Sequence, residues 1–139
     1  MSNTFVDTSF LIALVCRKDE LHERAMGWHQ CLEGRLLTTE YVLLELVDSL
    51  SFPPFRQAAT NAVRVLRRRA AVRVVASSTA LMDEGLAFFS KHADKRWSLT
   101  DCISFVVMRR ESVSEALSND HPFEQAGFRA LLRAEPPEK

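Results

Sequence analysis

Asp7, Glu45, Asp101 and Asp120 are acids in places that solvate them poorly: Asp7 and Asp120 close short apolar runs, Asp101 opens one, and Glu45 interrupts Val42-Leu43-Leu44-Glu45-Leu46-Val47. A desolvated carboxylate is costly unless it is paired, and a divalent cation can satisfy several at once. Mg2+ or Mn2+ prefers oxygen ligands and keeps several of its waters, which suits an all-acid set with no His/Cys ligand pattern. Such a cation offsets repulsion among the acids, acidifies water and draws off the charge of a phosphate. Those are general assets for metal-assisted hydrolysis.

Each acid also has a plainer job open to it. Asp7 could cap the helix that follows, although Thr8 and Ser9 already offer hydroxyls for that. Ser98-x-x-Asp101 has the form of a capping box with Asp in place of Glu, and the charge suits a helix N-terminus. Tyr41, Glu45 and Asp48 would share one helical face, as in the solvated stripe of an amphipathic helix. Asp120 lies in Ser-Asn-Asp-His-Pro, a run of turn formers, and His121 beside it is either an ordinary turn residue or a phosphate or metal contact. Arg64, Arg67, Arg68, Arg69 and Arg73 form a dense basic run, either a solvated helix face or a patch for nucleic acid or an acidic protein.

The elements that must position these residues alternate. Thr4 to Asp7 reads as a buried strand, and Phe10 to Cys16 as an apolar helix. Asp19 starts a second helix, with Leu21, Ala25, Trp28 and Leu32 at helical spacing and Gly34 ending it. Leu36-Leu37 is a brief strand, and Thr38-Thr39 start a helix to about Leu50. After Pro53-Pro54 a helix runs from about Phe55 to Ala70, and Val72 to Val75 is a β-branched strand. Helices follow over Leu81 to His92 and from Trp97 to about Arg110. The strand Glu115 to Ser118, the turn Asn119 to Pro122 and an edge strand Phe128 to Leu132 complete the chain.

Such alternation implies an α/β fold with a parallel sheet covered on both faces. Ligands in these sheets collect beyond the carboxyl ends of the strands. Asp7 and Asp120 fall at such ends and Asp101 in a first helical turn, so one pocket could hold all three. Residues 1–133 read as one domain and residues 134–139 as a flexible C-terminal tail.

The chain has 139 residues, 47% of them hydrophobic, enough for one real core, and it has no apolar run long enough to span a membrane. Its first residues lack the pattern of a secretory signal. Eighteen Lys and Arg balance eighteen Asp and Glu, so a polyanion would have to be held by a local patch. Cys16, Cys31 and Cys102 form no Cys-x-x-Cys pair and read as reduced thiols of a cytoplasmic protein.

Four segments taken together resemble a PIN domain, and specifically the VapC-type ribonuclease toxins of toxin–antitoxin modules. They are Phe5-Val6-Asp7-Thr8-Ser9, Thr38 to Glu45, Trp97 to Cys102, and Ala116 to Phe128, which come in the family's order over nearly the whole chain. The resemblance implies a three-layer α/β/α sandwich around a central, mainly parallel five-stranded sheet. It implies metal-ligating acids at Asp7, Glu45, Asp101 and Asp120 and a hydroxyl nearby at Thr8 or Ser118; of the acids, we assign Asp7 and Asp101 as the principal ligands. It further implies Mg2+ or Mn2+ as cofactor, RNA as substrate, a VapB-like antitoxin as partner, and a homodimer.

Two stretches depart from the family pattern: His121-Pro122-Phe123, where a basic or polar residue often precedes His-Phe, and Ser51-Phe52-Pro53-Pro54-Phe55, which is less polar than usual. The competing functions are a non-catalytic PIN-like module that binds RNA or protein, and a nuclease of RNA processing rather than a toxin. A haloacid-dehalogenase phosphatase would need Asp where Ser9 stands, and a response-regulator receiver would need clustered amino-terminal acids.

Overall fold

The computed structural model describes residues 3–138. Five short strands, β1 (Asn3–Val6), β2 (Arg35–Thr39), β3 (Val72–Val75), β4 (Glu115–Leu117) and β5 (Arg129–Ala130), form one sheet in the order β3-β2-β1-β4-β5. Every pairing is parallel, with Phe5 opposite Leu37 on one side and Ala116 on the other. The helices are α1 (Thr8–Val15), α2 (His22–Cys31), α3 (Glu40–Ser49), α4 (Pro53–Arg68), α5 (Thr79–Lys91), α6 (Leu99–Arg110) and α7 (His121–Gln125).

Alternation along β1 divides the core. Phe5 turns to the face of α6 and α7, where its ring centroid lies 6.4 Å from Phe123, and Phe123 meets Phe105 edge-on at 4.9 Å. Val6 turns to the other face and, with Phe10, Leu11 and Leu66, lines an apolar cavity of about 460 Å³ between α1 and α4. Both faces of the sheet are thus covered, and Phe5, Leu37 and Ala116, paired across its centre, are buried. The expected α/β/α sandwich is the fold.

Side-chain caps set the helix starts that matter. Thr39 Oγ1 accepts from the Val42 N–H at 3.2 Å, and Ser78 Oγ from the Leu81 N–H at 3.0 Å. Elsewhere the boundaries shift from the sequence reading. Pro53 and Pro54 open α4 rather than precede it, because a first-turn proline gives up no helical hydrogen bond. Asp19 bonds the Leu21 N–H in a local turn at 2.8 Å, so α2 begins only at His22. Gly34, at φ +92°, makes the reversal into β2.

The C-terminal third differs more. The supposed turn through Pro122 continues into the short helix α7, which buries Phe123 completely. The expected edge strand keeps only Arg129–Ala130, and Leu131–Arg133 winds into a 3-10 turn, η1, whose Leu132 N–H bonds Ser118 O at 3.1 Å. Ala134 to Pro137, expected as a tail, lies along α2: Trp28 Nε1 donates to Ala134 O at 3.0 Å, and Cys31 Sγ to Pro137 O at 3.6 Å. Gly27 makes room for that segment, since a Cβ there would stand 2.8 Å from Pro136 Cγ.

Candidate metal centre

Strand order places the site. The chain leaves β1 toward β2 and β3 on one side of the sheet and returns to β4 and β5 on the other, so β1 and β4 flank the point where the order reverses. Crevices open at the carboxyl ends of such a pair. Asp7 follows β1, and the Ser118-Asn119-Asp120 turn follows β4. Asp101 enters from the first turn of α6, and an oxygen from each of Asp7, Asp101 and Asp120 lies within 4.8 Å of the other two. No other group of three potential metal ligands forms among the described residues.

Asp7 is the deepest, with 2% of its surface exposed. It occupies the N-cap position of α1, yet its carboxylate makes no capping bond. Oδ2 instead accepts from Ser118 Oγ at 2.8 Å and Ser9 Oγ at 3.1 Å. Those hydroxyls also fix the opposite turn: Ser118 Oγ accepts the Asp120 N–H at 3.0 Å and Ser9 Oγ the Asn119 N–H at 3.1 Å. Asp101 does two jobs at once. Its Oδ2 takes the Ser98 N–H at 3.1 Å while Ser98 Oγ takes its own N–H at 3.0 Å, a complete capping box, and a second oxygen remains for the group.

Charge is costly here. Burial, and then the neighbouring Asp120, push Asp7 up to about 8 against the opposing pull of the Ser118 hydrogen bond. Burial pushes Asp101 up to about 6 in spite of its bond from the Ser98 N–H. A hard divalent cation reverses both shifts by stabilising the ionised forms, and an all-oxygen donor set is the kind it accepts. The residues fit such an ion.

The PIN-domain model matches residues 4–129. This chain belongs to the PIN-domain family. VapC20 of Mycobacterium tuberculosis, a 23S rRNA-specific endonuclease, is 31% identical over 124 residues, 89% of this chain and 94% of the relative. The crystal structure of VapC20, a toxin that cleaves the sarcin–ricin loop, matches with a TM-score of 0.86 at 30% identity, over 97% of this chain and 100% of that one. Two more distant matches bear on the fold alone. VapBC2 of Rickettsia felis bound to promoter DNA has a TM-score of 0.67 at 9% identity, over 92% of this chain and 96% of that one. FitAcB of Neisseria gonorrhoeae has 0.63 at 14%, over 91% and 95%.

Within this PIN domain the other sequence candidates separate. Glu45 on α3 stands outside the three-acid group, although it is near enough to help raise the Asp101 pKa. It lines a cleft of about 200 Å³ with Tyr41, Asp48 and Thr100, beside the group rather than in it. Of the two candidate hydroxyls, Ser118 bonds Asp7, whereas Thr8 Oγ1 is buried without a protein partner. Ser9, read in the sequence only as a capping hydroxyl for the helix start, instead donates to Asp7 Oδ2. The basic run is partly spent on ion pairs, Arg67 with Glu40 at 3.1 Å and Arg73 with Glu111. His121 pairs at 3.3 Å with Glu124, not with an acid of the group. No helix among the described residues is long and apolar enough to cross a membrane.

Proposed function

We propose that this PIN domain is a divalent-metal-dependent endoribonuclease and the toxin of a type II toxin–antitoxin module. The observation that carries the reading is the convergence of Asp7, Asp101 and Asp120 around a buried, proton-retaining Asp7. Strongly perturbed carboxylates in a crevice mark functional sites more often than structural ones. Bound there, Mg2+ or Mn2+ supplies positive charge for the phosphodiester oxygens and acidifies water for attack on phosphorus.

The chain's own residues do the positioning. Asp7, Asp101 and Asp120 hold the cation. Ser118 and Ser9 engage Asp7 Oδ2, and Ser98 engages Asp101 Oδ2. Each bond locks a carboxylate while leaving its other oxygen for a ligand. Glu45 orients the attacking water or completes a second cation site. Oriented acids of this kind position the nucleophile at the scissile bond, and positioning together with electrostatic stabilisation carries the acceleration in phosphoryl chemistry.

The VapC20 match, to an RNA endonuclease that is a toxin, supports RNA as substrate and a VapB-like antitoxin as partner. Leu44, Phe52, Leu86 and Phe89, all between 44% and 70% exposed, give apolar surface that an antitoxin or a second copy in a homodimer would cover. The three free cysteines suit a cytoplasmic setting.

The test is RNA cleavage by pure protein, titrated with Mg2+ and with Mn2+, with chelator and Asp7→Asn controls, and with RNA carrying the sarcin–ricin loop as first substrate. Cleavage that needs the cation and is lost in Asp7→Asn supports the reading. Cation-independent cleavage, or full activity in Asp7→Asn, sinks it. Growth arrest on expression of the wild type alone, relieved by Asp7→Asn, supports the toxin role.

A further inference from the structure

Asp7 directly follows a strand and Asp101 sits on α6, whereas Asp120 is carried by a short turn between β4 and α7. That turn bears a carboxylate facing two others, so something must hold it in place against repulsion. Its N–H groups are gripped from the site side by Ser9 and Ser118. Its carbonyls are gripped from the far side by η1: Ser118 O accepts the Leu132 N–H at 3.1 Å, and Asn119 O accepts from Arg133 Nη1 at 3.2 Å. The same guanidinium places Nε 2.8 Å from Glu124 Oε1 on α7. One side chain therefore ties the carbonyl before Asp120 to the helix after it. The turn η1 is anchored in its own right, because Arg24 donates to Leu132 O at 3.0 Å and pairs with Glu135 at 2.6 Å.

We propose that Arg133 is a positioning residue for the metal centre, acting on the cation through Asp120 and touching neither cation nor RNA. The proposal rests on the reading of the acid group as a divalent-cation site. A guanidinium suits this role, because its rigid fork of donors fixes the directions of a carbonyl and a carboxylate bond together, whereas an ammonium is a point charge on a flexible stem. Removing Arg133 has two effects of opposite sign. As a positive charge bonded to the Asn119 carbonyl, one residue before Asp120, it repels an incoming cation, so neutralising it should tighten binding. As a brace on the turn it holds Asp120 in range, so losing it should loosen binding. Groups that orient metal ligands typically contribute about 10- to 100-fold to affinity, more than a partly exposed charge does.

Mn2+ binding to the full chain, followed by the electron paramagnetic resonance signal of free Mn2+, decides between the two signs. The variants are Arg133→Gln, Arg133→Lys and Arg24→Gln, with melting temperatures of the cation-free proteins as a second readout. In Arg133→Gln the Kd should rise about tenfold or more. Arg133→Lys, which keeps the charge, should also bind more weakly than wild type. Arg24→Gln, which cuts the anchor of η1 but not the grip on the turn, should bind like wild type at a similar cost in melting temperature.

Equal or tighter Mn2+ binding in Arg133→Gln overturns the proposal while leaving the metal centre standing. Absence of Mn2+ binding in the wild type overturns both. Should Arg133→Gln fail to fold, the Lys variant carries the test, and wild-type affinity there overturns the proposal.

Discussion

Ser118 Oγ donates to Asp7 Oδ2 at 2.8 Å across 111 residues of sequence, and the same oxygen accepts the Asp120 N–H at 3.0 Å. One hydroxyl thereby couples two acids of the group, stabilising the ionised form of the first and setting the backbone of the second. Ser118→Ala should weaken Mn2+ binding about tenfold or more. It should also lower unfolding free energy at neutral pH by about 1–3 kcal/mol, since a completely buried site loses its donor. Cation titration and urea denaturation measure the two effects. Unchanged Mn2+ affinity would reduce Ser118 to a space-filler.

Cation-free stability should depend on pH in a direction set by Asp7 and Asp101. Both keep their protons to higher pH when folded, Asp7 to about 8 and Asp101 to about 6, against 3.8 for an ordinary Asp. The folded chain therefore binds more protons than the unfolded chain in that interval, and stability falls as pH rises through it. The Asp101 contribution is exhausted near pH 6, and that of Asp7 continues to about pH 8. Asp7→Asn should flatten the decline, and Mg2+ or Mn2+ should raise the melting temperature of the wild type more at pH 8 than at pH 5. A wild-type curve that parallels Asp7→Asn across this range would show that Asp7 does not titrate there.

Glu45 and Asp101 are predicted to fail differently. Asp101 lies in the three-acid group and Glu45 lies beside it. Asp101→Asn should weaken Mn2+ binding at least tenfold, whereas Glu45→Gln should leave affinity within a few-fold and lower kcat. Calorimetric binding and single-turnover cleavage separate the two. Equal loss of affinity in both variants would make Glu45 a ligand.

Much of the site was legible because its acids sit at junctions between apolar segments, and such junctions are where an α/β sheet opens its crevices. Asp7, Asp101 and Asp120 could be brought together on strand ends and helix starts alone. The capping box of Ser98 and Asp101 was legible too, but as a rival explanation, and the two readings turn out to describe one residue. Helix α7 was not legible: Asn119 to Pro122 has the composition of a turn, and only the pocket for Phe123 makes a five-residue helix worth forming. The course of Ala134 to Pro137 over Gly27 and Trp28 was beyond local pattern, since it depends on contacts more than a hundred residues apart.

The packing of α5 on α6 supplies a test that leaves the site alone. Gly85 lies in the middle of α5, where glycine costs a helix up to about 1 kcal/mol relative to alanine. A gain from Gly85→Ala is the naive expectation. However, a Cβ at Gly85 would stand 2.3 Å from Ile103 Cγ1, and Ile103 is 1% exposed. Cγ1 is too near its own backbone to swing away, so α5 and α6 must separate. Overpacking of this kind costs about 1–3 kcal/mol, which exceeds the propensity gain. The variant should therefore melt lower than wild type. Because α6 carries Asp101, Mn2+ affinity should weaken in parallel, and Gly85→Ala combined with Ile103→Ala, which deletes Cγ1, should cost less than the sum of the two single changes. A melting temperature above that of the wild type would mean that the two helices are not in the close contact described.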